Sequence, residues 1–253
     1  MKVAAYQAPL LECDSLEALD LICKQVKTCE TAGVEMLCCP EAVLGGLADY
    51  AGEPHSIAIN AGNGQLDRVL APLTSDTVTT IVGYTEVDGQ GRLYNSAAVF
   101  HKGAVTGSYR KVHQAINRSI YEAGDEVRVF TIGDFRFGIL ICNDSNYPEL
   151  ARQLAAQRAT ALFIPTNNGL PPEKGGPELG DLARKVDIAC AAENNLSVIR
   201  ADVAGQIPGF VSYGSTWIVD CDGRVIKTGA RLKTDLIVAE LETSPITNAC
   251  SEL

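Results

Sequence analysis

Two rhythms of apolar residues alternate along the 253-residue chain. Short apolar runs closed by turn residues read as strands, whereas apolar residues three and four apart read as helices. Lys2–Gln7 is the first expected strand. Leu16, Leu19, Ile22, Cys23, Val26 and Cys29 then recur at helical spacing. Asp14-Ser-Leu-Glu17 predicts a capping box where that helix begins, and Gly33 predicts its end. Glu35–Cys39 reads as a second strand closed by Pro40, and a weaker helical pattern covers Gln65–Leu73. Thr79–Tyr84 and Ser96–Phe100 read as strands around the turn Gly89-Gln-Gly91.

The rhythm breaks over the polar stretch Tyr109–Glu126 and resumes with a strand at Arg136–Ile141. Pro148 suits the first turn of a helix running through Arg158. Ala161–Ile164 is expected as a strand, followed by the turn-rich PTNNGLPPEKGGPE, a helix over Leu179–Asn194 and a strand over Leu196–Ala201. Ser215–Asp220 and Leu236–Leu241 complete the sheet, with Asp222-Gly223 as a hairpin-turn signal between them. Alternating helices and strands place helices against sheet faces. No low-complexity linker divides the chain, so residues 1–253 are expected to form one α/β domain.

Composition removes several function classes. With 46% hydrophobic residues the chain can bury a sizeable core. A net charge of −10 lacks the basic stripe that nucleic acid or an anionic membrane would require, and no apolar run reaches the length of a membrane span. The first residues show no signal-peptide pattern. The nine cysteines are scattered without a CxxC pair, which suits a reducing, cytoplasmic setting. In apolar runs they default to small buried hydrophobes. The histidines are His55, His101 and His113, with no HExxH and no metal-ligand spacing, so neither metal nor cofactor is expected.

Candidate chemistry lies at the ends of apolar runs, where open α/β sheets bind ligands. Leu37-Cys-Cys-Pro-Glu41 offers Glu41, Tyr109-Arg-Lys111-Val-His113 offers Lys111, and Ile141-Cys142-Asn143-Asp144 offers Cys142. Singly, each has a bland reading: an exposed carboxylate, a solvated lysine, a core thiol. Together, in this order and spacing, they form a constellation. CNDSNYPE resembles the nucleophile segment of the nitrilase superfamily of carbon–nitrogen hydrolases, PEAVLGG its glutamate segment and YRKVH its lysine segment. Gly83-Tyr-Thr-Glu86, Leu93-Tyr-Asn-Ser-Ala97, Glu122-Ala-Gly-Asp125, Ala192-Glu-Asn194 and Tyr213–Asp220 also fit, so the resemblance runs from Val3 to Leu241.

The resemblance implies a four-layer αββα sandwich whose units usually pair into an αββα–αββα homodimer. The sequence runs to Leu253, soon after the last expected strand, so much of the tail that many relatives use across that dimer is not expected here. By the same resemblance Glu41 is the general base, Lys111 the stabilising cation and Cys142 the nucleophile of a metal-free site. The chemistry agrees: a thiolate attacks an amide carbonyl, a carboxylate accepts the thiol proton, and Lys111 with the backbone N–H of Asn143 can hold the oxyanion. Asp144 is expected to order the turn, His113 to be structural, and Cys38, Cys39 and Cys190 to be core.

One position departs from the pattern. The family commonly carries a second glutamate seven residues before the glycine of its GD turn, and that count lands on Asn117, beside Arg118. An amide there can bind Lys111 or substrate but supplies no charge, and Glu122 is a poor substitute because a five-residue shift would move its loop. Arg118 could then pair with a substrate carboxylate. The expected activity is hydrolysis of a small linear amide or N-carbamoyl compound through a thioester. The alternatives are a weakly active or inactive binding or scaffolding protein on the same fold, nitrile hydrolysis, and acyl transfer to an amine.

Overall fold

The computed structural model describes residues 1–242, so Cys250 and the chain end at Leu253 lie outside the described residues. In chain order the elements are β1 (Lys2–Pro9), α1 (Glu17–Ala32), β2 (Met36–Cys38), α2 (Gln65–Leu70), β3 (Thr79–Val87), β4 (Leu93–His101), β5 (Ala104–Arg110), β6 (Tyr121–Glu122), β7 (Val129–Ile132), β8 (Phe135–Ile139), α3 (Pro148–Ala156), β9 (Ala161–Pro165), α4 (Pro177–Asn194), β10 (Ser197–Ala201), β11 (Val203–Ile207), β12 (Phe210–Tyr213), β13 (Trp217–Val219), β14 (Val225–Thr228) and β15 (Asp235–Glu240). Short 3₁₀ helices cover Ala48–Tyr50, Ala71–Leu73 and Cys142–Asn146.

The strands form two mixed sheets. One runs β12-β11-β1-β2-β3-β4-β5, with β15 also paired to β1 and β6 to β4. The other runs β14-β13-β10-β9-β8-β7. Within the first sheet β1, β2 and β3 are parallel, and β4 is antiparallel to both β3 and β5, so β5 points the same way as β3. Within the second, β8, β9 and β10 are parallel.

Strand periodicity assigns the faces. On one side of the first sheet Ala4, Leu37, Val82, Ala98 and Phe100 pack on Ile22, Val26 and Cys29 of α1 and on Leu66 and Leu70 of α2. On the other side Val3, Ala5, Met36, Cys38, Ile81 and Val99 meet Phe137, Ile139, Phe163 and Ile199 of the second sheet. Leu150, Ala151 and Leu154 of α3 and Ala191 of α4 join that same core. The order is therefore helices, sheet, sheet, helices: the expected αββα sandwich. Among the described residues no helix is long and apolar enough to cross a membrane.

Several boundaries differ from the sequence reading. Leu16, not Asp14, precedes α1, and no side chain caps it. Asp14 has φ 67°, and its N–H donates to Gly45 O at 2.9 Å, so a tertiary contact bends the segment out of the capping geometry. The weak helix at Gln65–Leu73 is α2 followed by a 3₁₀ turn. The stretch read as polar from Tyr109 begins inside β5, a strand whose residues are mostly half-buried. The strands β5, β6, β7, β11, β12 and β14 are absent from the sequence reading, and every residue of β14 is exposed.

Candidate active site

Strand ends converge at one edge of the sandwich. Glu41 follows β2, Lys111 follows β5, Cys142 follows β8, Thr166 follows β9 and Asp202 follows β10. The Glu41 loop is pressed onto β3. A Cβ on Gly83 would collide with Pro40 O, Ala42 N and Glu41 Cα, so only glycine permits this approach. The Glu41 N–H donates across to Thr166 O at 3.2 Å, tying the loop to the second sheet.

The Lys111 position is fixed in a similar way. Its N–H donates to Asn95 O at 2.8 Å, and its carbonyl accepts from Gly124 N–H at 2.8 Å. A Cβ on Gly124 would strike the backbone of Arg110. The Lys111 ammonium thereby meets the Glu41 carboxylate, with Nζ 2.5 Å from Oε1, and both residues are buried. Asn95 Nδ2 donates to the same oxygen at 2.8 Å, and the N–H of Asn167 donates to Oε2 at 3.0 Å. Burial works against the Lys111 charge. Glu41 and then the Cys142 sulfur outweigh it and hold the ammonium pKa above its ordinary value.

Cys142 opens the 3₁₀ helix with φ 47°, a left-handed backbone that non-glycine residues seldom adopt. Such strain costs roughly 1–3 kcal/mol and persists only where surroundings enforce it. Asp144 supplies much of that enforcement. It is fully buried; its Oδ2 accepts from Ile141 N–H at 3.0 Å and from the Tyr109 hydroxyl at 2.8 Å, and its Oδ1 accepts from His113 N–H at 2.7 Å. It therefore orders the turn, as expected. His113 stacks on Tyr147 at 3.5 Å between ring centroids and makes no hydrogen bond to Cys142, which matches a structural role.

The Cys142 thiol is pushed up to about 12, first by burial and next by the Glu41 carboxylate, while Lys111 and Arg200 pull the other way. At neutral pH it rests as a thiol, so its proton must leave during reaction. The Asn143 side chain is engaged, with Nδ2 donating to His113 O and Gln114 O at 3.3 Å. Its backbone N–H has no partner among the described residues.

Asn117 and Arg118 are both exposed, and neither hydrogen-bonds Lys111; Arg118 has φ 61°. Their loop is latched elsewhere: Ser119 Oγ and Ile120 N–H both donate to Asp49 at 2.9 Å. Glu122 is also exposed, on β6. Cys38 and Cys39 are buried beside Glu41, and half-buried Cys190 packs against the inter-sheet core. No group of three or more His, Cys, Asp or Glu side chains suited to a metal ion occurs among the described residues.

Sequence reasoning missed Asn167, Tyr109, Ser145 and Arg200. Arg200 did leave a signal, a charged residue inside the apolar run LSVIRA. Asn167 acts on Glu41 through its backbone N–H and left none.

Comparison with known proteins agrees with this fold. A nitrilase from Pyrococcus abyssi is 28% identical over 229 residues, covering 89% of this chain and 83% of its own. An (R)-stereoselective amidase from a Pseudomonas species is 29% identical over 233 residues, covering 91% of this chain and 81% of its own. Saccharomyces cerevisiae Nit3, a member of branch 10 of the nitrilase superfamily, shares the fold with a TM-score of 0.83 at 21% identity, over 98% of this chain and 96% of Nit3. The carbon-nitrogen hydrolase family model matches residues 2–249, and the chain belongs to that family.

Proposed function

We propose that this enzyme hydrolyses the carbon–nitrogen bond of a small linear amide or N-carbamoyl compound through a thioester on Cys142. The observation that carries the reading is the buried Glu41–Lys111 pair, with Nζ 2.5 Å from Oε1, brought from separate strand ends to where both charges act on the half-buried Cys142 thiol. The relatives named as nitrilase and amidase support the same class of chemistry.

The steps follow from the groups present. Glu41 takes the Cys142 proton as sulfur attacks the carbonyl carbon. The carbonyl oxygen becomes an oxyanion held by Lys111 and by the Asn143 N–H. Lys111 suits this role because an ammonium has three donors and only one is spent on Glu41. As the tetrahedral intermediate collapses, the C–N bond breaks and Glu41 returns the proton to the leaving nitrogen, releasing ammonia or an amine. Glu41 then takes a proton from water, which attacks the thioester. The C–S bond breaks, the proton passes to sulfur, and the acid departs.

A second reading, a weakly active or ligand-binding protein, draws on Asn117, which is exposed and brings no carboxylate to Lys111. A panel of short aliphatic amides and N-carbamoyl amino acids, assayed for ammonia, separates the two. Release above background on at least one compound is expected. Silence across the panel, together with a Cys142 that resists iodoacetamide, would favour the binding reading. Products diverted to hydroxamates by hydroxylamine at the expense of acid would indicate acyl transfer.

A further inference from the structure

Arg200 is buried in the middle of β10, among Ser197, Val198, Ile199 and Ala201. Its guanidinium forms a two-pronged pair with Asp187 of α4, Nε to Oδ2 at 2.6 Å and Nη2 to Oδ1 at 2.7 Å. Trp217 Nε1 also donates to Asp187 Oδ2 at 2.7 Å. Burial opposes the Arg200 charge, but Asp187 outweighs burial and keeps it. Two contacts remain, and they face the nucleophile side: Nη1 donates to Thr166 Oγ1 at 2.7 Å and Nη2 donates to Ser145 Oγ at 2.8 Å.

Those contacts fix the direction of a proton. A guanidinium has donors and no acceptor, so Ser145 Oγ must accept from it. The single hydroxyl proton of Ser145 is then free to point at one place, and Ser145 Oγ donates to Cys142 O at 2.9 Å. The carbonyl of Cys142 and the N–H of Asn143 belong to one planar peptide group and point in opposite directions. Fixing that carbonyl on the Ser145 side aims the Asn143 N–H away from it, and that N–H has no other partner among the described residues. Each hydrogen bond in such a chain polarises the next.

We propose that Arg200 is a positioning residue whose charge acts through the Ser145 hydroxyl and the Cys142–Asn143 peptide, so that the Asn143 N–H is aligned and polarised toward the reacting oxyanion. This rests on the reading of Cys142 as nucleophile. Asp187 keeps the guanidinium charged and oriented in the core, and Thr166 holds its other arm. The polarity of the chain runs one way throughout, from cation to hydroxyl to carbonyl and from amide to oxyanion. Ser145 makes the link between the scaffold cation and the reacting turn.

Ser145→Ala tests the proposal with little threat to folding, because it removes one oxygen. Three readouts are compared with wild type: kcat on the best amide of the panel, inhibition by propanal, and alkylation of Cys142 by iodoacetamide. Propanal adds to the thiol as a tetrahedral adduct bearing the oxyanion, whereas alkylation displaces iodide and forms none. Loss of a preorganised oxyanion donor costs roughly a hundredfold or more, so weakening one is expected to cost roughly tenfold or more. The expected result is a fall of that size in kcat and in propanal affinity, with KM and the alkylation rate within about threefold of wild type. Arg200→Lys, which keeps the charge but loses the fork, should fall between wild type and Ser145→Ala in kcat. Unchanged kcat in Ser145→Ala overturns the proposal, and so does a parallel fall in alkylation, which would mean that the hydroxyl merely supports the turn. Persistent turnover in Cys142→Ala, or none in wild type, overturns the nucleophile reading beneath it. Loss in Cys142→Ala with full activity in Ser145→Ala overturns the Arg200 link alone.

Discussion

Two buried ion pairs flank Cys142, and they are built differently. Glu41–Lys111 is a single 2.5 Å contact between two loops, with amide donors from Asn95 and Asn167 filling positions on the carboxylate. Arg200–Asp187 is a two-pronged pair between a strand and a helix, with an indole N–H as a third donor to the acid. Glu41 and Lys111 are also the charges that act most strongly on the thiol after burial, ahead of Arg200. The first pair leaves ammonium donors free for a substrate, whereas the second commits its donors to the protein. A buried pair is weak evidence for stability by itself; here the difference in saturation separates a pair fitted for chemistry from one that holds the scaffold.

Crossed substitutions break or sharpen this contrast. Glu41→Gln should lower kcat by roughly 10²–10⁴, the range for a lost general base, with the protein still folded by circular dichroism. Asp187→Asn leaves a buried guanidinium short of its anion and should cost about 3–5 kcal/mol of unfolding free energy in urea titration, with kcat of the folded fraction falling far less than in Glu41→Gln. If the two variants exchange these phenotypes, the division of roles is wrong.

A smaller effect concerns alkaline stability. The Cys142 thiol ordinarily titrates near 9.0 and is pushed up to about 12 in the fold. Above pH 9 the unfolded chain releases this proton while the folded chain keeps it, so stability declines as pH climbs from 9 toward 12. Lys111, held above its ordinary 10.5, pushes in the same direction, because the unfolded chain loses the ammonium proton first. Other buried thiols add to the slope, so the comparison of interest is wild type against Cys142→Ala. The variant should lose stability less steeply between pH 9 and 12 in urea titrations; equal slopes would place the thiol in a more solvated setting.

The ease of reading these regions from sequence also differed. Glu41, Lys111 and Cys142 follow strongly apolar or recognisable segments in a fixed order, so their positions and the αββα layering were legible. The strands that were missed carry little apolar contrast: β14 is wholly exposed, and β5 and β12 are edge strands of mostly half-buried residues, joined by short hairpins to β4 and β11. The expected cap of α1 gave way to a contact with Gly45, a tertiary event that local motif reading does not contain. The Asn117 loop was legible as a departure from pattern, but its latch onto Asp49 was not, because that contact joins residues 70 positions apart. The scaffold pair required knowing that β10 and α4 face each other behind the nucleophile turn.

The central claim is that amide hydrolysis passes through an acyl group on Cys142. Its most direct test is mass spectrometry of enzyme acid-quenched during turnover of its best amide. The account predicts an added mass equal to the substrate acyl group, localised to the peptide containing Cys142 and removed by hydroxylamine, with no adduct and no ammonia release in Cys142→Ala. Turnover without that adduct in a variant lacking the thiol would contradict it.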